Sequence, residues 1–265
     1  MPIAPTSAAT EPELNEFARK RLILATDLDG TFLGGTAAAR AELYGWIETN
    51  RASVGLIFVT GRDLRFIQTL TRDGKVPRPD YVVGDVGTTI AVADGTASFT
   101  PLAALEAEIA ARWDNAGPRV RDALADVGGL TPQPTEFRYR VSYDMNPARF
   151  EPRASDIVAE LGLDALISDN RFFDVLPRGI SKGPSLRRLL EALGITDPQV
   201  LVAGDTLNDL SMLTLGLPAV AVGNSEAALV EQLVDHAHVH HAEAAGAAGI
   251  AEAIRRFGYL SHNAA

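Results

Sequence analysis

The chain of 265 residues contains no cysteine, which excludes disulfide bonds and thiolate metal ligands. It has no apolar run of about 18 residues, the length of a membrane-spanning helix, so we expect no membrane partner. Residues 1–20 lack a basic start followed by an apolar block. They are therefore predicted to form a flexible N-terminal lead rather than a secretion signal, and a cytoplasmic location is expected.

Basic residues are fewer than acidic ones, 24 against 34, and the formal net charge is −10. A chain with this charge is not expected to bind nucleic acid as its main partner. A small anionic substrate remains compatible, because a bound cation can reverse the local field. The hydrophobic fraction of 46% is enough for a sizeable core, in one large domain or two smaller ones.

Short apolar runs that end in Gly, Asp or Thr recur along the chain. They are typical of parallel strands covered on both faces, and they lie at 21–26, 54–60, 81–84, 200–204 and 219–223. Segments with helical periodicity lie between several of them, at 36–50 and 184–193. This alternation predicts a doubly wound α/β core with a parallel sheet, formed by residues 21–87 and 178–265.

Residues 88–177 have a different pattern. They contain a helical stretch at 102–113, the alternating stretch "FRYRVSYDM" and an "ADGT" hairpin turn. A mixed block between two parts of a parallel-sheet pattern predicts an inserted α+β domain. In that domain Arg138, Tyr139, Arg140 and Tyr143 alternate along the chain, and one or two of them are expected to line a substrate cleft.

Four polar motifs follow or adjoin these predicted elements. They are "DLDGT" at 27–31, "TGR" at 60–62, "KG" at 182–183 and "GDTLND" at 204–209. Ligands of open parallel sheets bind beyond the carboxyl ends of the strands, so the four motifs are expected to converge on one crevice.

The residue types in these motifs suit phosphoryl transfer. One carboxylate can attack phosphorus, and a second can protonate the leaving oxygen and then activate water. Two like charges 4 Å apart repel by about 4 kcal/mol at an effective dielectric constant of 20. Four aspartates and a phosphate dianion therefore require a divalent cation and Lys182, and the sequence predicts dependence on Mg²⁺.

Together the four motifs resemble those of the haloacid dehalogenase-like phosphatase superfamily. The resemblance implies a Rossmann-like core whose larger α/β cap, residues 88–177, is inserted between the second and third motifs and selects the substrate. It implies that Asp27 is the nucleophile and Asp29 the general acid and base, with the Asp29 backbone carbonyl also on Mg²⁺.

The same resemblance implies roles for further residues. Thr60, Gly61 and Lys182 would bind the phosphate, and Asp205 and Asp209 would join Asp27 and Asp29 as metal ligands. Asn208 is expected to contact phosphate or support the metal site. Arg178 follows the end of the predicted cap and is expected to reach the substrate.

Several stretches, among them "FVTGRDLRFIQTL" and "FFDVLPRGISKGPSLRRLL", resemble the sucrose-6-phosphate phosphatases and their bacterial relatives. This implies hydrolysis of a phosphorylated sugar or disaccharide through an aspartyl-phosphate, with sucrose 6-phosphate the first expected substrate. Mannosylfructose phosphate and other glycosyl phosphates are alternatives. A phosphosugar mutase and a catalytically silent phosphosugar sensor also remain open. Relatives usually read Gly-Thr-Glu-Ile where this chain has Gly-Thr-Thr-Ile at 87–90.

The histidine-rich stretch "HAHVHH", residues 236–241, is a candidate second metal site. Its acidic neighbours in sequence are few, Asp235 and Glu243, so a solvated strand and loop is expected instead. The predicted partner is a small-molecule sugar phosphate, and the expected state is a monomer or a weak homodimer.

Overall fold

The computed structural model describes residues 16–95 and 98–259. The strands in these ranges are β1 (Leu22–Thr26), β2 (Val54–Val59), β3 (Tyr81–Gly84), β4 (Thr89–Ala93), β5 (Phe99–Pro101), β6 (Leu130–Pro132), β7 (Val141–Met145), β8 (Leu163–Ser168), β9 (Phe172–Pro177), β10 (Val200–Gly204), β11 (Ala219–Ala221) and β12 (Val239–His241). The α-helices are α1 (Ala37–Thr49), α2 (Leu64–Thr71), α3 (Ala103–Trp113), α4 (Gly117–Leu124), α5 (Arg153–Glu160), α6 (Lys182–Ala192), α7 (Leu210–Leu213), α8 (Ala227–Leu233) and α9 (Ala247–Arg256).

Eight strands form one sheet in the order β12-β11-β10-β1-β2-β3-β4-β5. The six strands from β12 to β3 run parallel, and β4 and β5 extend the sheet as antiparallel strands. Alternate residues of β1 enter two hydrophobic clusters on opposite faces, with Ile23 in one and Leu24 in the other. The predicted doubly wound α/β core is confirmed, because both faces are covered.

A second sheet of four antiparallel strands, in the order β6-β7-β9-β8, forms the cap. Its hydrophobic cluster is separate from those of the core and includes Tyr143, Phe173 and Val175. Helix α3 joins the two bodies, because Ile109 packs into the core and Trp113 into the cap cluster. The cap is therefore an inserted α+β body, as the sequence predicts.

The N-terminal boundary predicted for the cap, residue 88, is wrong. Strands β4 and β5 pair with β3 and with each other, so residues 89–101 belong to the core sheet. The "ADGT" turn does join a hairpin, although two residues of its loop, 96 and 97, lie outside the described residues. The local sequence pattern of the hairpin is the same whichever sheet it joins, so the sequence alone does not place it in the core sheet.

The predicted flexible lead is partly corrected. Residues 1–15 lie outside the described ranges, but residues 16–20 pack on the core. The Phe17 ring is buried and meets Tyr81 edge-on, with 4.9 Å between ring centroids. Gln199 donates from Nε2 to the carbonyl oxygens of Ala18 and Lys20. In the part of the chain that the structure describes, we find no helix with the length and apolarity to cross a membrane.

Candidate active site

The site lies at the point in the core sheet where the order of the strands reverses. After β1 the chain continues to β2 on one side, and it later returns to place β10 on the other side. Thr26 and Ala203 are register partners, so the residues that follow these strands, Asp27 and Asp205, emerge side by side. Ligands of open α/β sheets bind at such a point, and the predicted convergence of the motifs is confirmed for these two.

Lys182 occupies the centre of the site and is fully buried at the start of α6. Its Nζ donates to Asp27 Oδ1 at 2.7 Å, to Asp209 Oδ1 at 2.6 Å and to Asn208 Oδ1 at 2.7 Å. One ammonium group therefore holds residues from the first and the fourth motifs together, across 155 positions of sequence in the case of Asp27.

Gly30 allows the first motif to approach the fourth closely. Its φ is +79°, and an added Cβ would lie 2.1 Å from Oδ2 of Asp205. Thr31, from the same motif, donates its hydroxyl hydrogen to Asp205 Oδ1 at 2.5 Å. The residue types at these two positions therefore fix the place of the Asp205 carboxylate.

Asp27, Asp205 and Asp209 form a group that fits a divalent cation. One carboxylate oxygen from each lies within 4.8 Å of the others. Asp209 is already engaged on both oxygens, because Oδ2 accepts from the backbone N–H groups of Asp205 and Thr206. Asp29 does not join the group through its side chain, which leaves the predicted ligation by its backbone carbonyl untested.

Burial and mutual repulsion perturb the charges of this group. Burial raises the pKa of Asp205 to about 7, with a further contribution from Asp209. Burial likewise raises the pKa of Asp27 well above its usual value, against the attraction of Lys182. Burial alone would lower the pKa of Lys182, but Asp209 and Asp27 outweigh that effect and raise it, so the ammonium stays charged. Excess negative charge of this kind is what a divalent cation would compensate.

Asp29 lies at the mouth of the site and is bound by an arginine. Arg62 donates from Nε to Oδ2 of Asp29 at 2.7 Å and from Nη2 to Oδ1 at 3.0 Å. Both side chains are about half exposed, at 54% for Asp29 and 48% for Arg62. Arg62 stands in the second motif, two residues after Thr60, and no sequence pattern pairs it with Asp29, since the two residues follow different strands.

Thr60 and Gly61 follow β2 and lie beside the first motif. The Thr60 side chain is buried, and its hydroxyl oxygen accepts from the backbone N–H of Arg62 at 3.2 Å. Gly61 and Asn208 line the crevice together with Asp27 and Asp205. Of the predicted phosphate-binding residues, Gly61 and Asn208 thus lie at the opening, whereas Thr60 and Lys182 are buried behind its lining.

Arg178 does not reach this opening, and the expectation that it contacts substrate is corrected. The residue is exposed in the turn between β9 and α6, outside the lining of the crevice. Its carbonyl oxygen accepts from Arg112 Nη1 at 2.8 Å, and the next residue, Gly179, donates its N–H to Asp164. These bonds fix the turn on the outer side of the junction between cap and core.

The crevice between core and cap has a volume of about 620 Å³. Residues of the cap supply its far wall, namely Gln133, Thr135, Phe137, Arg140, Arg171 and Phe172. Arg140 is thus a cap residue that the sequence placed near a cleft, whereas Tyr143 belongs to the cap core. Asp174 also lines the crevice; the pairing of β7 with β9 places it across from Ser142, within hydrogen-bond distance of Arg140.

Thr89, which stands in the Gly-Thr-Thr-Ile stretch where relatives usually have glutamate, lies behind the lining of the crevice. Thr89 is buried and donates to Asp85 Oδ2 at 2.6 Å, and it accepts from Arg138 Nη2 at 3.1 Å. Arg138 also pairs with the buried carboxylate of Glu106. Thr89 therefore supports two charged neighbours and is not part of the crevice lining.

The histidine stretch forms part of β12 and its approach. His240 Nε2 lies 2.6 Å from Glu252, and His238 Nε2 lies 2.9 Å from the carbonyl oxygen of Leu213. Among the residues that the structure describes, no histidine belongs to a cluster able to hold a metal. The expectation of an ordinary late strand and loop agrees with these contacts.

Known proteins are similar to this chain in sequence and in fold. A segment of the glucosylglycerol-phosphate synthase of Pseudomonas anguilliseptica is 40% identical over 240 residues, which cover 90% of this chain and 31% of the synthase. The mannosylfructose-phosphate phosphatase of Agrobacterium fabrum is 29% identical over 246 residues, 89% of this chain and 96% of that protein. A solved sucrose-phosphatase from Synechocystis sp., in complex with sucrose and phosphate, superposes with a TM-score of 0.82 at 23% identity and covers 91% of this chain and 100% of its own.

The fold is that of haloacid dehalogenase-like proteins of known structure. A family model described as sucrose-6F-phosphate phosphohydrolase matches residues 20–258. The chain belongs to that family, and the resemblance stated from the motifs is confirmed. It spans about a third of the length of the synthase and nearly all of the length of the mannosylfructose-phosphate phosphatase.

Proposed function

We propose that the protein is a Mg²⁺-dependent phosphatase that hydrolyses the phosphate monoester of a glycoside through an aspartyl-phosphate. The observation that carries the proposal is the cluster of Asp27, Asp205 and Asp209 around the buried ammonium of Lys182, open to a crevice under the cap. Such a cluster can hold a nucleophile and balance the charge of a phosphate at once.

In the first step an oxygen of Asp27 attacks phosphorus. The new bond between Asp27 and phosphorus forms as the bond from phosphorus to the sugar oxygen breaks, and Asp29 gives its proton to that oxygen. Asp29 is paired with Arg62 in this structure, so it must exchange Arg62 for the sugar oxygen before it can act. Magnesium held by Asp27, Asp205 and the Asp29 carbonyl would screen the phosphate charge as a Lewis acid.

In the second step a water molecule attacks phosphorus and gives a proton to Asp29. The bond between phosphorus and Asp27 breaks, and inorganic phosphate leaves. Lys182 keeps Asp27 oriented through both steps, because it also contacts Asn208 and Asp209, which are fixed by the loop after β10. The cap would cover the crevice and exclude bulk water during these steps.

The substrate is proposed to be a glycoside that carries one phosphate. Sucrose 6-phosphate is the first compound to test, since the motifs and the family both point to it. Glucosylglycerol phosphate is a second candidate, favoured by the 40% identity to the synthase named for it. Mannosylfructose phosphate is a third, from the relative that matches almost over its whole length.

The test is release of inorganic phosphate from each of these compounds, with Mg²⁺ and with EDTA. We expect release from at least one compound, its loss in EDTA, and a fall on the order of 10³-fold or more for Asp27→Asn. An Asp27→Asn variant with full turnover would overturn the mechanism. Isomerisation of a phosphosugar with no release of phosphate would indicate a mutase, and binding with no turnover would indicate a sensor.

A further inference from the structure

An arginine of the cap, Arg140, contacts the phosphate-binding loop of the core. Arg140 precedes β7 and is 6% exposed. Its Nη2 donates to the carbonyl oxygen of Gly61 at 3.0 Å, and its Nη1 donates to Asp174 Oδ1 at 3.1 Å. Its guanidinium carbon also lies 3.6 Å from the centroid of the Phe137 ring. The planar fork of arginine thus holds a cap carboxylate and a core carbonyl together.

The same arginine lies beside a turn that is bonded to this loop. Arg140 Nη2 is 3.6 Å from Asp85 Oδ1, in the turn that follows β3. That turn is bonded on both sides of Gly61, because Val86 donates its N–H to the Thr60 carbonyl and Asp85 donates its N–H to the Arg62 carbonyl. The loop 60–62 and the turn 85–88 therefore move as one unit.

The turn is held in an unfavourable backbone conformation. Asp85 has a φ of 53° and Val86 a φ of 59°, in the left-handed region that a β-branched residue rarely enters. Strain of this kind persists only where surrounding contacts determine the conformation, and it is often found at functional sites. Here those contacts are the two hydrogen bonds to the loop and the approach of Arg140.

The loop 60–62 also carries the arginine that binds Asp29, the proposed proton donor. Arg62, the neighbour of Gly61 in sequence, binds Asp29 through two hydrogen bonds. A continuous line of contacts thus runs from Arg140 through the Gly61–Arg62 peptide to Asp29. It joins the cap to the phosphate-binding loop and to the acid.

We infer that Arg140 is a positioning residue, which fixes the loop 60–62, and through Arg62 the resting position of the acid Asp29, when the cap lies on the core. The inference rests on the proposed function. Stability alone does not account for the contacts of Arg140 with the core, because Arg140 Nε and Asp85 Oδ1 are buried without a hydrogen-bond partner. Catalysis would then depend on the position of the cap even for a substrate that has no sugar.

The chain offers a matched control for this role. Arg138 also joins the cap to the core, through Glu106 and Thr89, but it makes no contact with the loop 60–62 in the described hydrogen bonds. Arg138→Gln therefore weakens the attachment of the cap to the core, because it removes a similar set of arginine contacts. Arg140→Gln removes the contact with Gly61 as well.

The experiment compares both variants with wild type on two compounds, p-nitrophenyl phosphate and the best glycosyl phosphate. We expect Arg140→Gln to lower kcat at least about tenfold, by a similar factor for both compounds, since small errors of placement cost large factors in rate. We expect Arg138→Gln to keep kcat for p-nitrophenyl phosphate within about threefold of wild type. Thermal unfolding of each variant shows whether the protein is folded.

Three results would overturn the inference. A fall confined to the glycosyl phosphate would make Arg140 a sugar ligand, equal falls for both variants would indicate general attachment of the cap, and an unchanged kcat would show no role. If Arg140→Gln does not fold, Arg140→Lys takes its place under the same criteria, because lysine cannot bridge Gly61 and Asp174 together. A wild type that releases no phosphate from either compound overturns the proposed function, and the positioning role with it.

Discussion

Lys182 shows most clearly how single residues set the properties of this site. Its ammonium is fully buried among three oxygen atoms, from Asp27, Asn208 and Asp209. A buried charge is tolerable only when it is paired and hydrogen-bonded, and here each partner needs the other. The sequence predicts a lysine in the site, but its use as the anchor of Asp209 required the structure.

Replacement of Lys182 by methionine is expected to destabilise the fold and to stop turnover. The change leaves the buried carboxylates of Asp27 and Asp209 without their counter-ion, which costs about 3–5 kcal/mol. Urea unfolding measures the loss. Lys75→Met is the control, because Lys75 is 82% exposed and should change stability by less than about 0.5 kcal/mol. Equal effects of the two substitutions would contradict the assignment.

Asp205 predicts a specific dependence of stability on pH in the absence of metal. Its pKa is about 7 in the folded protein against the usual 3.8, so the folded state holds this proton more tightly than the unfolded chain. The stabilisation from this proton is fully present below pH 3.8 and is lost as the pH rises through about 7. Stability of the protein in EDTA should therefore decline across this interval.

Asp205→Asn should remove that decline. Asparagine keeps an oxygen acceptor for the Thr31 hydroxyl and cannot ionise, so the variant should gain stability over wild type between pH 5 and pH 8 in EDTA, by about 3 kcal/mol. Urea unfolding at both pH values measures the difference. A stability difference that does not change with pH would refute the pKa assigned to Asp205.

At the scale of elements, the start of α6 is placed by a turn of the core sheet. Gly87 has a φ of +99°, and an added Cβ would lie 2.3 Å from the backbone carbon and oxygen of Ser181. The adjacent Ser185 donates its hydroxyl hydrogen to the Gly87 carbonyl at 2.6 Å. The turn after β3 therefore determines where Lys182 enters the site.

Gly87→Ala is expected to displace the first turn of α6. The clash is with backbone, which cannot rotate away, so the loss of stability should exceed about 2 kcal/mol and kcat should fall in the folded fraction. Gly74→Ala is a matched control with a φ of +65° and open space around the position, and it should cost about 1 kcal/mol from backbone conformation alone. Thermal unfolding and phosphate release compare the two, and equal costs would contradict the packing argument.

The strands also show what a local sequence pattern can and cannot predict. The strands β1, β2, β3 and β10 agree with the predicted runs to within one residue, because their apolar sequences suit burial on both faces. The hairpin β4–β5 has an equally clear local pattern, yet its sheet depends on which edge it meets. Its pairing with β3 is a tertiary contact, and no periodicity in 88–101 records it.

The whole molecule consists of two bodies that share a crevice, with a net charge of −10 and a cluster of buried carboxylates at the junction. Such an arrangement should make the folded protein sensitive to divalent cations. Added Mg²⁺ is expected to raise the Tm by several degrees near pH 8, since a ligand at 100 times its Kd contributes about 2.7 kcal/mol.

The effect of Mg²⁺ should be smaller near pH 5, where the carboxyl of Asp205 holds its proton against the cation. Thermal unfolding at both pH values provides the measurement, with NaCl at equal ionic strength as the control. A shift that NaCl reproduces would mean that the cation only screens the net charge.

The sequence by itself determined the α/β core, the inserted α+β body and the four motifs, because strand burial, helix periodicity and motif composition are local properties. It also indicated Asp27, Asp205 and Lys182, since residues after parallel strands meet at one edge of a sheet. Only the tertiary structure decided that Arg178 lies outside the crevice, that Arg62 holds Asp29 and that Arg140 reaches Gly61. Each of these depends on contacts between residues far apart in the chain, and side-chain pairing across such distances follows from packing rather than from local pattern.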